Sequence, residues 1–191
     1  IKEIITGGFT YDLTVDNGEL ALWTWDGATL VLEKNYEWYT TSWTFVITVF
    51  VDDVEGDGVK EIITGGYFYD LTRDHAQLRI WNWDGSSVLT LEKEQDWYTV
   101  SGTHIHSVSV GDVNNDGAKE IVTSGFAYDG TRDNGQLRTW VYEASTLTLQ
   151  GSQEWYTIGY THAWGVPIND VDNNGIKEII TGGFAFDGTR Y

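Results

Sequence analysis

The sequence predicts an all-β protein of β-propeller blades: four-stranded antiparallel sheets repeating about every 58 residues, three-plus blades of a larger propeller or repeat array. Three observations point there. First, Lys2-Glu3-Ile4-Ile5-Thr6-Gly7-Gly8 returns from Lys60, from Lys119 (as Lys-Glu-Ile-Val-Thr-Ser-Gly) and from Lys177, at steps of 58, 59 and 58 residues. Second, the segments between are rich in β-branched and aromatic residues that alternate with period two, with no sustained 3.6-residue period. Third, glycine and Asp/Asn clusters punctuate them. A β-sandwich does not need four in-phase copies of Lys-Glu-Ile. A linear stack of four-stranded sheets obeys the same stacking logic as a propeller and stays open.

Each unit reads as strands A to D. Strand A is Ile105 to Val110, where Val108 and Val110 alternate with Ser107 and Ser109. Strand B is Glu61-Ile62-Ile63-Thr64 and its copies. Strand C is Gln77 to Trp83, again of period two, and strand D runs from Val88 to Thr99. Trp23, Trp81 and Trp140 keep one phase on C, as do Trp38, Trp97 and Trp155 on D. The one extra residue of the longer copy lies between Trp81 and Trp97 and is expected in a hairpin loop, Asp84-Gly85-Ser86-Ser87.

The order is therefore B-C-D, A-B-C-D, A-B-C-D, A-B, one repeat domain over 1–191 with units 1–41, 42–100, 101–158 and 159–191. Propellers need about four to eight blades, so this run is not expected to close alone. The expected partners are further blades of the same chain or neighbouring copies. The absence of methionine fits a processed product or a piece of a longer chain.

Composition narrows the function. A net charge of −18, from 29 acidic against 11 basic residues, repels phosphate backbones and argues against nucleic-acid binding. No run of eighteen apolar residues is present, so no membrane insertion is expected. Without cysteine there is no disulfide framework, thiolate zinc site or cysteine nucleophile.

The segment joining A to B carries the chemistry. It reads Asp53-Val54-Glu55-Gly56-Asp57-Gly58-Val59-Lys60-Glu61, then Asp112-Val113-Asn114-Asn115-Asp116-Gly117-Ala118-Lys119-Glu120, then Asp170-Val171-Asp172-Asn173-Asn174-Gly175-Ile176-Lys177-Glu178. Oxygen-bearing side chains fill positions 1, 3, 5 and 9, with glycine at 6 for a sharp bend. Calcium takes about six to eight hard oxygen ligands, and alternate residues of a curled loop can aim at one centre. Turn chemistry alone does not demand a glutamate at position 9 of all three copies. Ten of the 29 acidic side chains fall in these loops. Such clusters repel unless a cation sits among them, and oxygen donors without His or Cys favour Ca²⁺ over zinc or copper.

These loops and the strand that follows resemble the FG-GAP repeat of integrin alpha-chain propellers, and related repeats of microbial secreted proteins and some calcium-containing lectins. The resemblance covers the whole chain as repeats, with the loop as its specific part. It implies four-stranded blades around an axis and about three calcium sites in the A–B loops. Carried over by position, the side-chain ligands are Asp53, Glu55, Asp57 and Glu61; Asp112, Asn114, Asp116 and Glu120; Asp170, Asp172, Asn174 and Glu178. Val59, Ala118 and Ile176 supply backbone oxygen. Two departures stand out: position 9 is Glu where the family more often has Asp, and position 3 of the first loop is the longer Glu55. The implied setting is extracellular or cell-surface.

Tyr69-Asp70-Leu71-Thr72-Arg73-Asp74 and its copies, Phe186-Asp187-Gly188-Thr189-Arg190 among them, read as a structural B–C loop held by Asp–Arg pairing and Thr-to-backbone bonds. A sugar-contacting loop is the other reading. The strand-C tryptophans read as core between stacked sheets, and Trp38, Trp97 and Trp155 as a row able to stack on sugars or a partner. Where the repeat is broken, His104, His106, His162 and Trp164 form a candidate ligand-binding surface, since the first copy of strand A has Phe45 and Ile47 at the first two positions. The chain has no phosphate loop, nucleophile elbow or histidine-bearing metal signature, so no enzyme is expected. The expected function is recognition or adhesion through a glycan or protein ligand. A structural subunit of a surface fibre or layer is the alternative, with a carbohydrate-active enzyme behind both.

Overall fold

The computed structural model describes residues 2–189 of the 191. Ile1, Arg190 and Tyr191 lie outside the described residues, and with them the arginine of the last Tyr/Phe-Asp-x-Thr-Arg motif. Every regular element among the described residues is a β-strand, so no helix is long and apolar enough to cross a membrane.

The first unit is a three-stranded antiparallel sheet of β1 (Lys2–Tyr11), β2 (Asp16–Trp25) and β3 (Leu30–Trp38). The second is four-stranded: β4 (Thr44–Asp52), β5 (Glu61–Tyr69), β6 (Asp74–Trp83) and β7 (Leu89–Trp97), in that order across the sheet. The third repeats it with β8 (Thr103–Gly111), β9 (Glu120–Tyr128), β10 (Asp133–Glu143) and β11 (Thr146–Trp155). The last A and B strands are split, β12 (Thr161–Gly165) pairing with β15 (Gly182–Ala185) and β13 (Ile168–Asn169) with β14 (Glu178–Ile179). Pro167, the single proline of the chain, lies at the break between β12 and β13. It has no N–H to give to a ladder.

The strands match the A-to-D assignment in order; A, B and C run longer than expected, B extending from Glu61 to Tyr69, while D is shorter, Leu89–Trp97 against Val88 to Thr99. The extra residue lies where the hairpin reading places it. The β6–β7 turn spans Asp84 to Val88 between the paired Trp83 and Leu89, against Asp26 to Thr29 in the first unit.

Strand A of each sheet packs on strands B and C of the sheet before it: β4 on β1 and β2, β8 on β5 and β6, β12 on β9 and β10. The first two junctions each have their own core. Leu20, Leu22, Ile62, Trp81 and Leu89 fill one, and Ile63, Leu78, Ile80, Ile105, Val108, Ile121 and Trp140 belong to the next. Each fully buried Leu or Ile contributes about 1.5–3 kcal/mol over its exposed state. The indole Nε1 of Trp81 and of Trp140 donates to the Thr64 and Thr123 hydroxyls of strand B, so these rings are core with a satisfied polar end.

Trp38 and Trp97 are not a free row for sugars. Each is half-buried, donates Nε1 to Gln77 or Gln136 of the next sheet at 3.1 and 2.8 Å, and leans on Trp81 or Trp140. The guanidinium of Arg79 sits 4.9 Å over Trp38, and that of Arg138 4.7 Å over Trp97, adding cation–π contact to each junction.

The glycine pair ending the repeated motif has two separate causes. At Gly65 a Cβ would come within 2.8 Å of Ile105, Thr48 and Val108, so the first glycine lets the next strand A close in. At Gly66, Gly125 and Gly183 a Cβ would lie 1.9 Å from the carbonyl oxygen of Phe45, His104 or His162. That carbonyl precedes a β-bulge repeated in every A–B pair, at Ile47, His106 and Trp164.

Candidate functional site

The three A–B loops share one hydrogen-bond scheme. The position-1 carboxylate accepts backbone N–H groups from across the bend: Gly56, Asp57 and Gly58 onto Asp53, Gly117 onto Asp112, Asn174 and Gly175 onto Asp170. The position-9 glutamate reaches back to the N–H of position 2, Val54 to Glu61, Val113 to Glu120 and Val171 to Glu178. The N–H of position 7, on Val59, Ala118 and Ile176, is donated to the side chain at position 5. Gly58, Gly117 and Gly175 have φ of 91°, 92° and 89°, which is why glycine stands at position 6. The longer Glu at position 9 suits this scheme, since one oxygen serves the backbone while the other is left for the loop.

The loops differ in how far their carboxylates converge. Asp170, Asp172 and Glu178 bring one oxygen each within 4.8 Å of one another, the one such group of three among the described residues. In the second loop Asn114 Nδ2 donates to Asp116 and Glu120, and the Oδ1 atom of Asp112 is buried without a hydrogen-bond partner. In the first loop Glu55 lines a cleft of about 230 Å³ with Tyr142, between the first and second loops. Glu61 is buried, and burial followed by the charges of Asp57 and Asp53 pushes its carboxyl above the ordinary range. An orphaned carboxylate oxygen, a raised glutamate and a tight carboxylate triad are what a hard cation would relieve. The donor set of all three loops fits Ca²⁺.

Lys119 adds a link between loops that the sequence did not reveal. Its Nζ donates to the Asp53 carbonyl at 2.9 Å and pairs with Asp52 at 3.0 Å. The position of Asp52 is taken by Gly111 and Asn169 in the later units, so Lys177 meets no equivalent carboxylate there.

The structure gathers the four repeat-breaking residues. His106 stacks on Trp164 at 4.0 Å, and its ring centre is 5.7 Å from His162 and 6.1 Å from His104. His104 and His162 belong to a column of rings running across all four units, Phe9, Phe45, Tyr67, His104, Phe126, His162 and Phe184, with neighbouring centres 3.5–4.9 Å apart, and His106 and Trp164 stack beside it. His104 Nε2 meets Asp74 at 2.9 Å and His162 Nε2 meets Asp133 at 2.8 Å, each in the preceding sheet. Those aspartates close the Thr-Arg-Asp motif, and the signal for them was a His appearing one unit later opposite a repeated Asp. His106 is 9% exposed, and its Nδ1 is buried without a partner.

The B–C loop is held by hydrogen bonds within it, with a different wiring from Asp–Arg ion pairing. Asp70 Oδ1 accepts the N–H and hydroxyl of Thr72 and the N–H of Arg73, and Asp129 does the same with Thr131 and Arg132. These bonds hold both carboxyls well below the usual range. The Arg73 guanidinium goes instead to the Val100 carbonyl and the face of Tyr98, and Arg132 to Ile158 and Tyr156. Leu71 sits in this loop at φ 77°, where Gly130 and Gly188 stand in the later units. Leu71→Gly is therefore expected to raise stability by about 1 kcal/mol, because a left-handed non-glycine residue costs about 1–3 kcal/mol and glycine's unfolded-state entropy returns part of that. Urea denaturation checks it; a loss of stability refutes it.

The B–C and D–A loops share the rim opposite the A–B loops. Leu13, Leu71 and Ile158 are 83%, 65% and 73% exposed there, beside exposed Tyr39, Tyr98, Tyr156 and Val100. Compared with known proteins, the chain matches no family model, and no curated protein matches it.

Proposed function

We propose that the chain is a calcium-stabilised run of β-propeller blades of the FG-GAP kind, serving recognition or adhesion at or outside the cell surface. The observation that carries the calcium part is the convergence of Asp170, Asp172 and Glu178 within 4.8 Å, in a loop whose scheme recurs twice. Asp112, with its buried unpartnered oxygen, supports the same use of the second loop. In each site the position-1, -3, -5 and -9 side chains would hold the ion, with backbone oxygen from Val59, Ala118 or Ile176. The ion would neutralise the acidic loop and fasten strand A to strand B, the strand pair from which each sheet is stacked on the last.

The recognition part rests on the opposite rim. Exposed apolar and aromatic side chains recur there once per unit on a chain of net charge −18. Exposed apolar surface of this kind marks interaction sites, and Tyr39, Tyr98 and Tyr156 stay exposed although Arg73 and Arg132 lie against Tyr98 and Tyr156, which suits either a glycan or a protein ligand. Calorimetric titration with Ca²⁺ tests the first part, with about three sites of Kd on the order of 10⁻⁴–10⁻³ M expected. Heatless titration with no change in stability refutes it. Glycan-array binding that is lost on Tyr98→Ser together with Tyr156→Ser tests the second. Concentration-dependent polymers in electron micrographs, without ligand binding, would favour a fibre or layer subunit.

A further inference from the structure

We propose that His106 makes the junction between the third unit and β12 an acid-sensitive joint, closed when its imidazole is neutral and loosened when it takes a proton. Three features of its surroundings lead there. The ring sits at the A-strand bulge, enclosed by Trp164 and His162 of β12, Phe126 of β9 and His104 of its own strand. Its Nδ1 is buried with no hydrogen-bond partner, so a proton placed there meets no acceptor. The titratable groups facing it are the two other imidazoles, and the carboxylates nearby, Asp74 and Asp133, are engaged by His104 and His162 rather than by His106.

A charge on His106 therefore enters a desolvated pocket beside two groups able to carry the same charge. Burial, then His104 and His162, lower its pKa to about 4, and a backbone hydrogen bond with Ala163 only partly opposes them. Stacking on Trp164 offers a cation some attraction, but less than the loss of water and the facing imidazoles take away. The sign follows. In the unfolded chain the imidazole takes its proton near pH 6.5, so His106 is without penalty above that and withdraws stability as pH falls from about 6.5 to about 4. The repeat supplies the control, because the bulge position holds Ile47 in the second unit and Trp164 in the last, neither of which titrates.

The test compares the full chain with His106→Ile in saturating calcium. Between about pH 7.5 and about pH 4.5 the parent should lose roughly 5–10 °C more in Tm than the variant. Amides of β12 should lose protection against hydrogen exchange on acidification, relative to the intrinsic rate at each pH, more than those of β5 and β6. Equal losses in the two proteins overturn the proposal. If the variant does not fold, the His106 ring is titrated by NMR in the parent. A midpoint a full unit or more below the ordinary value of about 6.5 supports the joint, and any smaller displacement overturns it.

Discussion

Chelation of calcium is expected to lower the Tm of the chain by roughly 15–30 °C, and added calcium to restore it. The magnitude follows from linkage. At free calcium about a hundredfold above Kd, each site that binds only the folded chain contributes about 2.7 kcal/mol, so three contribute about 8 kcal/mol. For a chain of this size each kcal/mol moves Tm by about 2–4 °C. The third loop should account for a large share, since its three carboxylates already converge within 4.8 Å. Asp170→Ala should then lower Tm in calcium and make little difference after chelation. A scan that is indifferent to chelator would remove calcium from the account of this fold.

The second large effect concerns a glycine. Gly125→Ala is expected to cost about 3 kcal/mol, at the upper end of ordinary overpacking penalties. The new Cβ would stand 1.9 Å from the His104 carbonyl oxygen, and a backbone atom cannot swing away as a side chain can. Gly8 occupies the same place in the first unit, yet nothing lies within 4 Å of a Cβ there. Gly8→Ala should therefore leave stability unchanged or slightly raised. Two identical-looking positions with opposite outcomes in urea denaturation would trace the requirement to the bulged strand A. Similar losses at both would place the cause in strand B itself.

Much of the fold was legible because it is local and repeated. Period-two alternation and turn residues located the A-to-D strands, and a one-residue length difference pointed to the Asp84–Val88 turn. The loop scheme was legible for the same reason, since positions 1 to 9 act on one another within a few residues. What the sequence hid lies in how strands meet, within a unit and between units. The bulge at His106 arises from how strand A meets strand B, and no residue type announces it. The bond from Lys119 to the Asp53 carbonyl spans 66 residues and needs no partner side chain, so it leaves no charge pattern. Trp38 and Trp97 looked like a surface row because their partners, Gln77 and Gln136, sit one sheet further on.

Those tryptophan–glutamine bonds reach further than stability. Both span 39 residues, so the two halves of a junction are always written less than one period apart. Duplicating or deleting one whole period in frame would recreate a complete set of partners at the new boundary without inventing a contact. The number of units is then a quantity that recombination can change in a single event, while every junction inherited from the parent keeps its register.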